Sequence, residues 1–261
     1  MNVSESFKRY IEQRADIDKH LSNITSIIGV YSAKGGVGKT SVSINLAYAF
    51  KALKKKTALL DADVDCPNIC NFINIDYNIK PVAPLKPYLH DGISIMSPVF
   101  FYGSSEEPAV WRGAILSKAL TDILRYTEWP LTDYLIIDLP PGTSDIPLTI
   151  MQLIRLDGLV IVTTPDKISY INSLKSGLMA QKLKIRILGV IENMSDSNKE
   201  SYSDKLAERL SVGVLGRVPY KDSFKNAVEL GKAAYELDEN IKEIFDNIAN
   251  NIISILETRK I

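Results

Sequence analysis

The chain's strongest constraint is a short glycine-rich segment. The apolar run Ile27–Ser32 leads into Ala33-Lys34-Gly35-Gly36-Val37-Gly38-Lys39-Thr40-Ser41, and a helix-like stretch follows. Phosphate binding needs backbone N–H groups that converge on an anion, and glycines allow that close approach. A helix N-terminus adds partial positive charge, a lysine neutralises terminal phosphates, and a hydroxyl ligates Mg²⁺. Lys39 and Thr40 hold those last two places. Gly35, Gly36, Val37, Gly38, Lys39, Thr40 and Ser41 are therefore the expected Mg-ATP contacts. A glycine-rich turn that binds nothing is the plainer alternative, and the strand-to-helix context argues against it. Ala33 stands where the usual motif has Gly.

That context extends along the chain. Strands are predicted at Ile27–Ser32, Thr57–Leu60, Ile93–Ser97, Tyr134–Ile137, Gly158–Thr163, Ile185–Ile191 and Val212–Val218. They are rich in Ile, Val and Leu with little polar alternation, as strands covered on both faces are. Helical segments such as Thr40–Lys54, Pro108–Tyr126, Tyr170–Lys182 and Lys199–Leu210 lie between them. Such alternation predicts an α/β fold with a doubly wound, mostly parallel sheet flanked by helices. Residues 1–261 read as one domain, with an N-terminal helix at 1–23 and a C-terminal helix at about 237–258. In the last segment Ile241, Ile244, Phe245, Ile248, Ile252, Ile255 and Leu256 recur at helical spacing. Its polar face carries both signs, which favours core packing over a membrane-seeking tail.

Charge narrows the partners. Lys plus Arg and Asp plus Glu each number 31, so no global field draws the chain to nucleic acid or an anionic membrane. The N-terminal region lacks the apolar stretch of a signal peptide, and no run of about 18 apolar residues appears elsewhere. Two cysteines, Cys66 and Cys70, are too few for a secreted disulfide framework. A cytoplasmic protein is expected, with neither nucleic acid nor membrane as partner.

Two acidic segments follow the glycine loop. Leu60-Asp61-Ala62-Asp63-Val64-Asp65 places carboxylates at the end of the second predicted strand, where ligands gather in parallel sheets. An exposed acidic loop is the alternative. Tyr134-Leu135-Ile136-Ile137 ends in Asp138, the Walker B arrangement in which the carboxylate holds a magnesium-bound water. Pro140, Pro141 and Gly142 then form a stiff turn suited to reporting ATP against ADP. Asn193 closes another strand with a carboxamide whose donors and acceptor suit an adenine edge, although a capping Asn would look the same.

Lys34-Gly35-Gly36-Val37-Gly38-Lys39-Thr40 resembles the deviant Walker A group that includes MinD, ParA and the nitrogenase iron protein. The resemblance implies a homodimer in which Lys34 reaches the partner's nucleotide, as an arginine finger does. It also implies that Asp61 contacts the magnesium shell, that Asp63 positions the attacking water, and that Asn193 and the backbone at Pro219 flank the base. Lys34, Lys39 and Asp63 are then the catalytic set, with Thr40, Asp61 and Asp138 around magnesium.

Further segments are similar to the Mrp-type iron–sulfur carrier ATPases: Met96-Ser97-Pro98, Trp111-Arg112-Gly113, Asp138 to Asp145, Val162-Thr163-Thr164-Pro165, Gly189 to Ser195, and Gly216-Arg217-Val218-Pro219. This likeness runs from about Ile27 to Ala233 and implies an iron–sulfur apoprotein or other protein client. One departure stands out. Those carriers place Cys-x-x-Cys after Glu-Asn-Met, where this chain reads Ser195-Asp196-Ser197-Asn198-Lys199-Glu200-Ser201. Four thiolates are the ordinary ligands of a [4Fe–4S] cluster. Cys66 and Cys70, doubled by a dimer, are a substitute set, and two ordinary buried or semi-buried thiols acting as small hydrophobes are the alternative. A switch of the MinD or ParA kind, acting on another partner without a cluster, remains the second functional expectation.

Overall fold

A computed structural model describes residues 3–76, 84–102, 113–142, 145–196 and 201–258. Trp111-Arg112, Thr143-Ser144 and residues 197–200 of the segments above lie outside them, as do the first residues of the helices predicted from Pro108 and Lys199. Eight strands form one sheet among the described residues: β1 (Ile24–Tyr31), β2 (Thr57–Asp61), β3 (Tyr88–His90), β4 (Ile93–Met96), β5 (Thr132–Asp138), β6 (Gly158–Thr163), β7 (Ile187–Ser195) and β8 (Val214–Pro219). Their order is β3-β4-β2-β5-β1-β6-β7-β8, and every pairing except β3 with β4 is parallel.

The seven expected strands are present with small changes at their ends. β3 is additional. It forms because Asp91 and Gly92 adopt positive φ of 48° and 77°, which turns the chain back onto β4. An Asp-Gly pair is a common hairpin turn of this kind. β7 runs on through Glu192 and Asn193 to Ser195, so those side chains belong to a strand end and not to a loop.

The helices are α1 (Val3–His20), α2 (Lys39–Ala52), α3 (Ile69–Phe72), α4 (Val99–Tyr102), α5 (Gly113–Tyr126), α6 (Asp145–Leu153), α7 (Lys167–Lys182), α8 (Ser203–Leu210), α9 (Asp222–Leu230), α10 (Ala234–Leu237) and α11 (Glu239–Glu257). Central strands are buried along their whole length, as β2 and β6 are at every position. This explains the unbroken apolar runs read from the sequence.

α11 packs on α2 and β8, and its apolar stripe faces inward. Ile241, Phe245, Ile248 and Ile252 are fully buried, so the stripe is spent on the core. No helix among the described residues is long and apolar enough to cross a membrane.

The informative exceptions to an apolar interior lie at one end of the sheet. Ser32, Lys39, Ser43, Asp61, Asp138, Glu192 and Asn193 are all buried, and all sit at or just beyond the carboxyl ends of strands or in the first turns of α2. Buried charge needs a partner or a task.

Truncating a fully buried aromatic side chain costs about 3–5 kcal/mol. Phe245→Ala should lower the thermal midpoint by several degrees in a melt followed by circular dichroism. An unchanged midpoint would mean that α11 is not part of the core.

Candidate nucleotide-binding site

β1 delivers the chain into the glycine loop, and α2 begins at Lys39 directly behind it. The helix is preceded by Gly38 in a left-handed conformation (φ 81°, ψ 23°), with no side-chain cap and no acidic residue in its first turn. Its first N–H groups are thus left to an external acceptor, and the helix dipole favours an anion there. Gly38 is required twice over. Its φ disfavours any side chain, and a Cβ would come 2.1 Å from Asn193 Nδ2.

Asp138 is the hub of the site. The β2–β5 register sets Asp61 opposite Asp138, so two adjacent strands end in facing carboxylates. Lys39 Nζ lies 2.8 Å from Asp138 Oδ1, and Ser43 Oγ donates to the same oxygen at 2.8 Å. Thr40 Oγ1 donates to Asp138 Oδ2 at 2.7 Å. Ser43 was not anticipated. The usable signal was its spacing, four residues after Lys39 on the same face of α2.

Asp61 is completely buried and organises the following loop. Its oxygens accept from the backbone N–H groups of Asp63 (3.2 Å), Asn68 (3.0 Å) and Ile69 (3.1 Å). Burial, followed by the neighbouring Asp138 carboxylate, pushes its pKa up to about 8, against the pull of the Ile69 N–H and the Lys39 ammonium. At neutral pH Asp61 therefore keeps its proton, so Asp138 alone balances the Lys39 ammonium, and a divalent cation bound there would draw the Asp61 proton off. No three His, Cys, Asp or Glu side chains converge as a self-sufficient metal site among the described residues. That suits magnesium, which keeps several waters and takes few protein ligands beside its phosphates. The Thr40 hydroxyl, Asp61 and Asp138 fit that role.

Asp63 is half-buried, and its Oδ1 accepts from the Cys66 N–H at 3.2 Å. Burial raises its pKa, and the Lys39 charge opposes the rise. Lys34 differs sharply from Lys39. It is exposed, and it makes no ion pair among the described residues, while its backbone carbonyl accepts from Ser32 Oγ at 3.0 Å. Ser41, partly buried, accepts through its carbonyl from Asn45 Nδ2 at 2.7 Å, which ties the loop's end to the helix.

The residues expected beside the base come from β7 and β8. Asn193 pairs in register with Val218, and Ser195 with Pro219, bringing the two predicted contacts to one edge. Asn193 Nδ2 donates to the Val37 carbonyl at 2.8 Å, so this amide braces the glycine loop. Beside it opens a cleft of about 720 Å³ lined by Met194, Ser195, Arg217, Pro219 and Tyr220 among others. Arg217 is held there by Asp204, with both carboxylate oxygens at 2.6 Å, and by the buried Glu192 at 3.8 Å.

The cysteines do not share an environment. Cys66 is exposed and Cys70 is buried. Burial, with Asp61 nearby, pushes the Cys70 thiol up to about 12, and burial with Asp63 raises that of Cys66. A four-thiolate cage built from two subunits would require Cys70 to turn out of the core.

A family model described as ParA, NUBPL iron-transfer P-loop NTPase, matches residues 23–253. The chain belongs to this family. An iron–sulfur cluster carrier protein of Methanocaldococcus jannaschii is 38% identical over 269 residues, covering 97% of this chain and 92% of the relative. One from Escherichia coli is 37% identical over 226 residues, 81% of this chain and 61% of its own length. Among solved structures, a nucleotide-binding protein of Archaeoglobus fulgidus in complex with ADP superposes with a TM-score of 0.74 at 30% identity, covering 89% and 96% of the two chains. The cell-division ATPase MinD of Pyrococcus furiosus gives a TM-score of 0.68 at 19% identity over 88% and 99%, which shows the fold.

Gly38→Ala should abolish nucleotide binding measured by calorimetry, because the new methyl displaces Asn193 from the loop. Binding within about twofold of the parent would refute the close packing described. Under native conditions a thiol reagent should label Cys66 and reach Cys70 only after unfolding, as read by mass spectrometry; equal labelling would contradict the burial of Cys70.

Proposed function

We propose that the chain is a magnesium-dependent ATPase that works as a homodimer in the cytoplasm, using slow ATP hydrolysis as a switch in iron–sulfur cluster assembly or transfer to apoprotein clients. The observation that carries this reading is the Lys39–Asp138–Thr40 constellation beneath the open N-terminus of α2. The carrier names of the relatives at 38% and 37% identity support the choice of client. In this reading the chain acts as one unit, and neither nucleic acid nor membrane is a partner.

The α2 N-terminus and the glycine loop bind the phosphates, and Lys39 moves its charge from Asp138 onto them. Asp138, Asp61 and Thr40 would hold magnesium, which when bound would neutralise charge on the phosphate oxygens. Asp63 accepts a hydrogen bond from the attacking water. That water's oxygen bonds to the γ-phosphorus as the bond to the bridging oxygen breaks, leaving ADP and phosphate. Lys34, exposed and unpaired among the described residues, offers its ammonium to the partner's nucleotide. Asn193 and Pro219 flank the base at the cleft between β7 and β8. The cluster is cargo, with Cys66 the thiol at hand and Cys70 recruited from the core on loading.

Lys39→Ala should reduce ATP turnover by about a hundredfold or more in a phosphate-release assay. Lys34→Ala should depress turnover to a similar degree and weaken ATP-dependent dimerisation seen by light scattering, while ADP still binds. Normal turnover by the Lys34 variant would sink the action in trans. For the cargo, anaerobic reconstitution with iron and sulfide should give visible absorption that Cys66→Ser/Cys70→Ser loses. A colourless protein that hydrolyses ATP would overturn cluster binding by this chain.

A further inference from the structure

We propose that Tyr31 is a positioning residue for the turn after Asp138, holding it at the place where a γ-phosphate is told from its absence. The inference rests on the nucleotide switch described above and adds a residue whose part in it no sequence motif marks.

Tyr31 is the last residue of β1, and its ring is fully buried. An aromatic there needs only to fill space, yet its hydroxyl reaches across 111 positions of sequence to donate to the Gly142 carbonyl at 2.5 Å. The Gly142 N–H in turn donates to the Ser32 carbonyl at 3.0 Å. Both polar groups of Gly142 are therefore gripped by consecutive residues, the last of β1 and the next, where the chain enters the phosphate loop. Ser32 is also the residue whose side chain braces the Lys34 carbonyl.

The turn has little freedom between its fixed ends. At one end Asp138 is held by Lys39, Thr40 and Ser43, and the Leu139 N–H makes the last bond to β1, at Val30, at 3.0 Å. Pro140 and Pro141 stiffen the middle by fixing φ. At the other end Gly142 sits at a φ of 88°, a conformation that other residues resist. The Tyr31 hydroxyl is thus the side-chain tie that sets where this short turn lies relative to the loop. Burial pushes the phenol pKa up, so the group remains a donor across the physiological range.

Removing the hydroxyl keeps the ring's packing and frees the Gly142 carbonyl. A neutral hydrogen bond lost in a buried setting corresponds to roughly a fivefold to tenfold change in an equilibrium. ADP, held by the loop and Lys39, should not sense the change.

The test compares Tyr31→Phe with Tyr48→Phe, whose hydroxyl bonds Asp91 at 3.0 Å away from the loop and serves as the control for losing a part-buried phenol. Affinities for ADP and for a non-hydrolysable ATP analogue are measured by calorimetry with magnesium, beside thermal midpoints and steady-state turnover. Tyr31→Phe should lower the analogue-to-ADP affinity ratio about fivefold to tenfold, with ADP affinity and midpoint close to those of Tyr48→Phe. An unchanged ratio overturns the proposal, as does an equal loss of both affinities with a fallen midpoint, which marks a merely structural tyrosine. Absence of turnover in the parent chain would count against the ATPase reading alone, because the affinity ratio still decides the role of Tyr31.

Discussion

The site depends on a buried ion pair, Lys39 against Asp138 at 2.8 Å. Removing one member of such a pair leaves an uncompensated charge in the interior, a cost of about 3–5 kcal/mol. Everything around the pair serves to hold it. The sheet register brings Asp138 level with Asp61, and α2 supplies Lys39, Thr40 and Ser43 from its first two turns. The arrangement is poised, because the second buried acid, Asp61, keeps its proton at neutral pH while no cation is near. A phosphate that draws the lysine away and a cation that takes its place would leave both acids ionised and satisfied. Phosphate and cation binding would in this way be one electrostatic event.

Sheet topology gathers that local chemistry at one edge. β1 lies at the centre with β5 and β6 on either side, so the phosphate loop, the Asp138 turn and the strand end before α7 meet at one edge. β7 and β8 extend the same edge to the cleft lined by Met194, Pro219 and Tyr220, and Asn193 ties that half to the loop through Val37. From the other side, α10 and α11 are secured to α2 by a bond from the Tyr235 N–H to Asn45 Oδ1. Asn193 of β7 bonds the loop directly, and α10 reaches it through Asn45, whose side chain holds the Ser41 carbonyl, so the loop backbone is coupled to distant parts of the fold.

Much of this was legible in the sequence. The glycine loop, Lys39, Thr40 and Asp138 were visible because the chemistry demands particular residue types at fixed spacing next to a strand. The parallel sheet was visible because strands covered on both faces lack polar alternation. What escaped notice depended on tertiary neighbours. Tyr31 looked like one more strand residue, since nothing local says that its hydroxyl meets Gly142. Ser43 looked like an ordinary helical serine until the register of β5 set Asp138 above it. β3 has no periodic signal because three residues are too few for one, although Asp91-Gly92 carries a turn signal. The unequal burial of Cys66 and Cys70 was also hidden, since it follows from α3 packing and not from their spacing.

The most direct measurement is the magnesium dependence of nucleotide affinity, taken by calorimetry on the parent chain and on Asp138→Asn. The account predicts that magnesium strengthens ATP binding markedly in the parent chain and has little effect in the variant, where the carboxylate that faces Lys39 is gone. ATP binding that is indifferent to magnesium in the parent, or equally magnesium-dependent in both proteins, would contradict a site organised by Asp138.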